Sequence, residues 1–492
     1  MISLTAGDLW GQSRMLNDNL TASVPLSIRD AMKVLSSNGE RIVFILEDGK
    51  LIGSLSDGDI RRALLQGQDI ESSVVSILNQ EVTTLKEHSS PAQIHLAFRG
   101  GVNLVPVLSN DGKIVSIQRI GASNIIPLSE PNLTSLEASF LNGAFSSNWI
   151  SSSGSFIGEF EEIFAEYIGA EHCLTVSNGT LGLVLALKVL GISPGDQVLI
   201  PNLTFGATAN AVIQVGAEPV FCEVSKPDYN LDVGSLASRL TDKTRAIIPV
   251  HLYGSPVNMN ELMKFARQHN LFVIEDAAEA VGTHYNGNHV GTFGDVGVFS
   301  FFANKTITTG EGGMVVFQDK ELKRLALMMK SHGFSPENRY WHESWGTNFR
   351  LTNLQAAIGV GQMKRVDELV SAKRHNAEVY AEGFSDLAGK DIEILGPALG
   401  QFSSYWLNVI RCKNPDVVEG LAKYLESKYI ETRRVFHPLH SQPAFGMHQS
   451  HEGFENSWEL YSNGLCLPSS TKLKIEDIYR VCQEVSAFFN SY

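Results

Sequence analysis

The chain has 492 residues, of which 43% are hydrophobic and 19% are charged, and its formal net charge is −14. This length predicts two or three domains, and the composition is typical of a soluble globular protein. The acidic balance argues against a nucleic-acid footprint or binding to an anionic membrane surface, because both require clustered positive charge.

The five cysteines are irregularly spaced, and none belongs to a C-x-x-C pair. We therefore expect reduced thiols in a cytoplasmic protein, rather than disulfides or a metal site. The first residues, MISLTAGDLWGQ, lack the basic and apolar regions of a signal peptide. The apolar stretch at 181–192 is too short to cross a bilayer.

The first 125 residues contain an internal repeat. RIVFILEDGKLIGSL (41–55) and NLVPVLSNDGKIVSI (103–117) each predict a strand, a D-G-K turn and a second strand. A helical pattern precedes each hairpin, at 27–37 and at 90–100. One such unit cannot bury its apolar faces alone, so the two copies should pack together.

This repeat resembles a tandem pair of CBS domains, small modules that often bind adenosine nucleotides. GSLSDGDIRRALLQG (53–67) matches the end of a CBS unit, and the resemblance implies that Ser56 and Asp59 contact the ribose and phosphate of an adenine nucleotide. The second unit, SIQRIGAS (116–123), has no matching aspartate. Alternatively, Ser56 and Asp59 cap the following helix, and the pair is a folded spacer or an oligomerisation module.

Strands and helices alternate beyond a predicted linker at 126–134. Thr134 and Glu137 form a capping-box pattern for a helix that should end at Gly143. Apolar strands separated by helices predict an α/β fold with a mainly parallel sheet covered on both faces, over 135–386. A smaller α/β domain is predicted over 387–492. The predicted strands of the large domain include HCLTV (172–176), QVLIP (197–201), EPVFCEV (218–224), RAIIPVHLY (245–253), LFVIEDA (271–277) and VGVFSFFAN (296–304).

Three signals fall at predicted strand ends, where parallel sheets bind ligands. The turn in VSNGTLGL (176–183) offers free amides and a helix dipole to a phosphate, or it is a simple strand-to-helix turn. Asp276 either pairs with a protonated ring nitrogen or caps a helix over AAEAV. Lys305 is either a nucleophile whose pKa is lowered by burial or a lysine that snorkels into solvent.

The order of the three signals favours one cofactor. A phosphate turn, a strand-end aspartate and a strand-end lysine are expected for pyridoxal phosphate, whose ring nitrogen needs an acidic partner and whose aldehyde needs a lysine. The hydroxyl groups of Thr180 and Ser300 are placed to bind its phosphate. The combination therefore outweighs the structural explanation of each signal alone.

Residues 133–492 resemble the sugar-nucleotide aminotransferases of the DegT/DnrJ/EryC1/StrS family, a branch of the aspartate-aminotransferase fold (fold type I). The resemblance implies a homodimer, or a higher homo-oligomer, with active sites at the subunit interface. The matching stretches are NWISSSGSFIGEFEEIFAEYIG (148–169), VSNGT (176–180), PNLTFGATANAV (201–212), IEDAAEAVG (274–282), GDVGVFSFFANKTITTGEGGMVV (294–316) and GTNFRLTNLQAAIG (346–359).

The resemblance implies how the cofactor ring is held. Lys305 would be the Schiff-base lysine, Asp276 would bind the ring nitrogen, and Phe205 would stack on the ring. Glu279 stands where family members more often carry Gln or His, and it would lie near the ring hydroxyl. Two anions there would repel each other unless one of them holds a proton.

The resemblance also assigns the phosphate contacts. Gly179, Thr180 and Ser300 would hold the phosphate within one subunit. Asn348 would reach the same phosphate from the neighbouring subunit.

Two stretches, NKTITTGEGGMVV (304–316) and ETRRVFHPLHSQPAF (431–445), are most similar to GDP-perosamine synthases. This implies amino transfer, with L-glutamate as the expected donor, to the C4 keto group of GDP-4-keto-6-deoxymannose in O-antigen or other polysaccharide biosynthesis. Trp149, Ser151 and His437 fall in stretches that contact the sugar nucleotide in relatives, or they are ordinary loop residues. A CBS pair is not part of the usual perosamine synthase and would add nucleotide-sensitive control.

Other functions remain compatible with the sequence. The substrate could be another, UDP- or dTDP-linked, keto sugar, or the chain could be a non-catalytic regulatory protein that carries the cofactor and a CBS sensor. Sugar dehydratases on this fold replace the lysine with histidine, so Lys305 argues against that class.

Overall fold

The computed structural model describes residues 20–491, except 88, 90–92, 94–96, 98–103, 120–124, 227, 336, 337, 339, 399 and 447–449. The chain divides into two compact units, residues 1–124 and 125–492. None of the helices in these described ranges has the length and apolar character that crossing a membrane requires. All five cysteines are buried free thiols.

The strands of the first unit form two three-stranded sheets with the same arrangement. In each sheet the first strand is parallel to the second, which is antiparallel to the third. This repetition agrees with the repeat in the sequence, although the predicted helix at 90–100 lies mostly outside the described residues. The elements are β1 (Thr21–Ser23), α1 (Ile28–Asn38), β2 (Ile42–Glu47), β3 (Lys50–Ser56), α2 (Asp57–Leu65), a 3₁₀ helix (Val74–Ile77), β4 (Leu85–Lys86), β5 (Leu104–Leu108) and β6 (Ile114–Arg119).

The two repeats of the first unit pack against each other, as their apolar faces require. Phe44 of one hairpin shares a buried apolar cluster with Leu104 and Ile114 of the other. The two D-G-K turns also meet, because the backbone N–H of Leu51 donates to the carbonyl of Gly112 at 3.2 Å. The copies therefore form one core inside this unit.

The second unit is built on a seven-stranded sheet and a smaller four-stranded sheet. Its helices and strands are α3 (Ser135–Ser146), α4 (Ser155–Ile168), β7 (His172–Val176), α5 (Gly179–Val189), β8 (Gln197–Pro201), α6 (Ala207–Gln214), β9 (Glu218–Cys222), β10 (Thr244–Ile247), α7 (Met259–Gln268), β11 (Phe272–Asp276), β12 (His284–Tyr285), β13 (Asn288–His289), β14 (Val296–Ser300), β15 (Gly313–Phe317), α8 (Lys320–Met329), α9 (Asn353–Met363), α10 (Val366–Gly383), β16 (Ile392–Ile394), β17 (Asn408–Cys412), α11 (Val418–Ser427), β18 (Arg433–Arg434), α12 (Glu455–Asn463), β19 (Gly464–Leu467) and α13 (Ile475–Ser491), with 3₁₀ helices at Val233–Arg239, Leu252–Gly254, Pro415–Val417, Leu439–Ser441 and Pro443–Phe445.

The large sheet has the order β7-β15-β14-β11-β10-β8-β9. Only β15 among these strands runs antiparallel to its neighbours, so the prediction of a mainly parallel sheet is confirmed. Apolar residues of α5 cover one face, and α4, α7 and α9 cover the other. Burial on both faces explains why the strands are almost continuously apolar.

The small sheet has the order β16-β17-β19-β18 and is antiparallel. Its apolar core combines residues of α11 and α13 with the end of α10. Ile126, from the predicted linker, is buried in the same core. The segment before α3 is thus packed against the small sheet rather than extended into solvent.

The start of α3 agrees with the sequence, but its end does not. Thr134 and Glu137 form the predicted capping box, with the Thr134 hydroxyl donating to the Glu137 carboxylate at 2.6 Å. The predicted stop at Gly143 is wrong, since α3 continues to Ser146. Gly143 lies inside this helix beside the ring of Phe156, with room for an ordinary contact, so its glycine does not mark a helix end here.

Candidate active site

The lysine singled out by the sequence lies in a protected position at the end of β14. Phe299 and Phe301 lead to it and are fully buried, while the side chain of Lys305 is 13% exposed. Its Nζ lies 3.6 Å from Oε1 of Glu279. Burial lowers the pKa of Lys305, and the nearby carboxylates of Glu279 and Asp276 only partly oppose this shift. The site therefore shifts the lysine toward its neutral, nucleophilic form.

Asp276 ends β11 and is held by two neutral donors. Its Oδ2 accepts a hydrogen bond from the Thr208 hydroxyl at 2.8 Å, and its Oδ1 accepts one from the backbone N–H of Ala278 at 3.2 Å. The next residues form turns, so the helix-cap alternative is wrong. Burial raises the pKa of Asp276. A buried carboxylate held by neutral groups is suited to a cationic ring nitrogen.

Glu279 lies between the lysine and a backbone turn. Its Oε2 accepts a hydrogen bond from the backbone N–H of Tyr253 at 2.8 Å. Burial raises the pKa of Glu279, although the positive charge of Lys305 opposes the shift. The shift is toward the protonated form, and a proton on Glu279 would relieve its repulsion with a second anionic group beside it.

Strand register brings the phosphate turn to Ser300. Val176 of β7 pairs with Gly313 of β15, which pairs with Ser300 of β14. The turn after β7 leads into α5, whose first residue is Gly179. A Cβ added to Gly179 would lie 3.0 Å from the Cβ of Ser300, so any larger residue here would crowd Ser300. The positive end of the α5 dipole thus lies beside Ser300, where an anion could bind.

Phe205 borders a cavity of about 490 Å³. Its ring is 62% exposed, and Thr180 and His437 line the same cavity. An exposed aromatic face beside the phosphate turn is available for stacking on a planar ligand. Three residues predicted from the sequence therefore line one cavity: Phe205 for the ring, Thr180 for the phosphate and His437 for the substrate.

Residues 131–486 match the DegT/DnrJ/EryC1/StrS aminotransferase family, and residues 6–66 match the CBS domain. The chain belongs to this aminotransferase family. It is therefore a sugar aminotransferase that depends on pyridoxal phosphate.

This aminotransferase matches individual relatives over nearly their whole length. GDP-perosamine synthases from Escherichia coli O157:H7 and Vibrio cholerae are each 41% identical to it, over 74% of this chain and 99% and 100% of theirs. The aminotransferase TlmJ from Streptoalloteichus hindustanus has a similar structure, with a TM-score of 0.70 and 32% identity over 75% of this chain and 99% of that one.

The residues of this aminotransferase fit pyridoxal phosphate. Asp276 would offer the ring nitrogen a buried carboxylate, and Lys305 would offer the aldehyde an amine. The hydroxyl of Ser177, directly before the Asn178 cap of α5, is buried and finds no hydrogen-bond partner among the described residues. An unpaired hydroxyl at a helix N-terminus is expected where a phosphate completes the hydrogen bonding.

Three other predicted residues lie on the surface. Trp149, Ser151 and Asn348 are exposed. The carbonyl oxygens of Trp149 and Ser151 accept hydrogen bonds from Asn353 at the start of α9, at 2.6 and 2.7 Å. Oδ1 of Asn348 accepts a hydrogen bond from Nε of Arg350 at 3.0 Å. Their roles toward substrate or a neighbouring subunit stay predictions.

Sequence reasoning missed Trp406 and Arg433. The face of the Trp406 ring lies 3.7 Å from Nζ of Lys305. The Arg433 guanidinium lies 5.7 Å from the rings of Trp406 and Phe436, and its buried Nη2 has no hydrogen-bond partner among the described residues. Arg433 belongs to the quoted stretch 431–445, which was the available signal. Trp406 had none, because it joins the site only through folding of the small domain.

In the CBS unit, Ser56 and Asp59 adopt the helix-capping arrangement that the sequence offered as the alternative to nucleotide binding. The Ser56 hydroxyl accepts a hydrogen bond from the Asp59 backbone N–H at 3.3 Å, and the Asp59 carboxylate accepts one from the Ser56 N–H at 2.8 Å. Asp59 also pairs with Arg62. The two residues therefore cap α2, and their contact with a nucleotide stays a prediction.

Proposed function

We propose that this aminotransferase moves an amino group from L-glutamate to the C4 keto group of GDP-4-keto-6-deoxymannose and forms GDP-perosamine. The observation that carries the amino-transfer chemistry is the proximity of Asp276 and Glu279 to the amine of Lys305. The 41% identity to two GDP-perosamine synthases supports this substrate over other keto sugars.

One set of residues would hold the cofactor, and Lys305 would move a proton. When bound, pyridoxal phosphate supplies an aldehyde for amino groups and an electron sink for the carbanion. Gly179, Thr180 and Ser300 would hold its phosphate, and Phe205 would cover its ring. Asp276 would keep a proton on the ring nitrogen, because its buried carboxylate needs a cationic partner.

Lys305 would have two tasks. Its neutral Nζ would attack the cofactor aldehyde, and, once displaced by the amino donor, it would take the proton from the donor α-carbon. The lowered pKa of Lys305 suits both tasks, since each requires an unprotonated amine. The donor leaves as a 2-oxo acid, and the keto sugar receives the amine by the reverse steps. The exchange is thus balanced without an external oxidant or reductant.

The experiment for the substrate is a panel of GDP-, UDP- and dTDP-linked 4-keto sugars with ¹⁵N-labelled glutamate, followed by mass spectrometry. We expect label in the GDP-linked product first. Label only in a UDP- or dTDP-linked product would redirect the substrate assignment, and no label in any product would favour a regulatory protein.

Lys305→Ala should abolish this label transfer and the borohydride-trapped adduct with the cofactor. Lys243→Ala, at an exposed lysine, is the matched control and should behave as the natural protein. Substantial transfer by Lys305→Ala would refute the assignment of the catalytic lysine.

We also propose a homodimer whose interface includes exposed aromatic residues. Trp149, Phe302, Tyr340, Trp341 and Trp345 are large apolar side chains that remain exposed in one chain. Exposed apolar groups of this size are typical of protein interfaces.

Hybrid dimers test whether Asn348 acts across that interface. In a hybrid of Lys305→Ala and Asn348→Ala chains, a role in the neighbouring subunit leaves one site with neither substitution. Mixing the inactive Lys305→Ala variant with the impaired Asn348→Ala variant should then restore activity. Absence of restoration in hybrids shown to form would place Asn348 in its own subunit's site.

Binding of an adenine nucleotide at Ser56 and Asp59 is a separate proposal for the CBS domain. The match of residues 6–66 supports it. Calorimetry with ATP, ADP and AMP tests the binding, and repeating the label-transfer assay with these nucleotides tests control. Asp59→Asn should weaken binding; no heat signal for the natural protein would leave the capping role alone.

A further inference from the structure

The peptide that precedes the catalytic lysine is held by two side chains. The carbonyl oxygen of Asn304 accepts a hydrogen bond from Nε1 of Trp406 at 2.8 Å. The same oxygen accepts a second, from the hydroxyl of Ser129, at 3.3 Å. Two donors on one carbonyl restrict rotation of the peptide that joins Asn304 to Lys305. They therefore limit the directions that the lysine side chain can take.

Trp406 also contacts the other end of the lysine. The centre of its ring lies 3.7 Å from Nζ of Lys305, and the residue is 2% exposed. A cation over an indole face is stabilised, most strongly at desolvated sites. The one tryptophan thus holds the backbone before Lys305 through its N–H and the amine through its ring.

The backbone of Trp406 is itself held by a buried lysine. Nζ of Lys373 donates hydrogen bonds to the carbonyl oxygens of Trp406, at 3.0 Å, and of Ser469. Burial lowers the pKa of Lys373 to about 7, with a further contribution from the charge of Lys305. The Tyr253 ring stacks near the Trp406 ring, with an interplanar angle of 18°. The indole therefore has little freedom to shift.

Ser129 reaches the site from the segment that follows the N-terminal unit in the chain. The backbone N–H of Ile126 donates to the carbonyl of Tyr429 at 2.8 Å. The carbonyl of Leu128 accepts a hydrogen bond from the N–H of Ser469 at 2.7 Å, and Ser469 is also a partner of Lys373. The segment and the support of Trp406 thus share one hydrogen-bonded network.

We propose that Trp406 and Ser129 are positioning residues for Lys305. Through Ser129, the segment that connects the two units takes a direct part in placing the catalytic amine. This inference rests on the proposed role of Lys305 as the residue that bonds the cofactor. It adds two residues that act through the lysine and not on the substrate.

The test uses the full-length protein freed of cofactor. Pyridoxal phosphate is added over a range of pH, borohydride traps the covalent adduct, and mass spectrometry measures the rate of adduct formation at Lys305. Thermal unfolding of each variant without cofactor checks its fold. The variants are Trp406→Leu, which removes the ring and the donor, Trp406→Phe, which keeps a ring, Ser129→Ala, and Ser129→Thr, which keeps the hydroxyl.

Trp406→Leu should lower the midpoint of the pH profile by about one unit, because loss of the ring contact disfavours the ammonium form. Trp406→Phe should shift the midpoint little but trap the adduct several-fold more slowly, since the Asn304 carbonyl loses one of its two donors. Ser129→Ala should slow trapping by about two- to fivefold at an unchanged midpoint, and Ser129→Thr should restore the rate.

The outcomes separate this inference from the proposed function. If the natural protein forms no adduct at Lys305, the proposed function fails. If the natural protein traps at Lys305, but both Trp406 variants have its rate and midpoint, the role of Trp406 is overturned. A rate of Ser129→Ala equal to that of the natural protein overturns the role of Ser129. Should Trp406→Leu fail to fold, Trp406→Phe decides the role of Trp406 by its rate.

Discussion

Replacing Glu279 by glutamine should make Lys305 a weaker base. Oε1 of Glu279 lies 3.6 Å from Nζ of Lys305, and the two side chains are 5% and 13% exposed. The substitution removes the charge while keeping the shape of the side chain. The glutamine oxygen can still accept the hydrogen bond that Tyr253 donates to Glu279. The change is therefore electrostatic rather than steric.

The geometry gives an upper bound for the effect. Two unit charges at this separation attract each other by about 4 to 5 kcal/mol at an effective dielectric constant of about 20. This corresponds to about 3 pKa units for Lys305. Burial raises the pKa of Glu279, and this works against the full attraction. We therefore expect the pKa of Lys305 to fall by about one to three units.

The assay is adduct formation between Lys305 and pyridoxal phosphate as a function of pH, with borohydride trapping. Only the neutral amine attacks the aldehyde, so a lower pKa moves the midpoint of the profile to lower pH. Glu279→Asp retains a charge and should give a smaller shift than Glu279→Gln. An unchanged midpoint, or one that moves to higher pH, would refute the electrostatic reasoning.

Two further substitutions test charges around the site and the fold. Burial and then the charge of Arg433 lower the pKa of Lys305, so Arg433→Gln should raise the same midpoint by less than about one unit; a downward shift would contradict this. Burial raises the pKa of Glu137, but hydrogen bonds from Thr134 and Gln362 outweigh it and bring the pKa to about 2. Glu137 thus stabilises the fold fully above about pH 4.5 and loses this effect as the pH falls toward 2. Glu137→Gln should lower the free energy of unfolding at pH 7 by about 1 to 3 kcal/mol, with a smaller difference below pH 4 in urea unfolding; a pH-independent difference would argue against this role.

Periodic patterns predicted the elements better than their ends. The capping box at Thr134 was readable because its two polar residues interact over one turn. The end of α3 was not, because Gly143 is retained in the helix where it meets Phe156, which belongs to another helix. The helix after Asp276, which the sequence offered as an alternative, is not formed either. Residue propensities favoured it, but the carboxylate binds the Ala278 N–H inside a turn.

Short-range sequence was enough to find the lysine, the aspartate and the phosphate turn. Each follows an apolar strand, and strand ends of a parallel sheet meet at one edge, so their proximity follows from the alternation of strands and helices. The order of these residues then indicated one cofactor, and the quoted motifs indicated the family.

Tertiary structure alone decided what surrounds the lysine amine. Trp406 and Arg433 come from the small domain, and Ser129 comes from a segment whose sequence only predicted a linker. Their contacts with the lysine loop or with each other depend on how the small sheet packs, which no local periodicity encodes. Burial, and with it the direction of the Lys305 pKa shift, also depends on that packing. The sequence therefore predicted which groups do the chemistry, whereas the fold determined their electrostatic environment and the side chains that surround them.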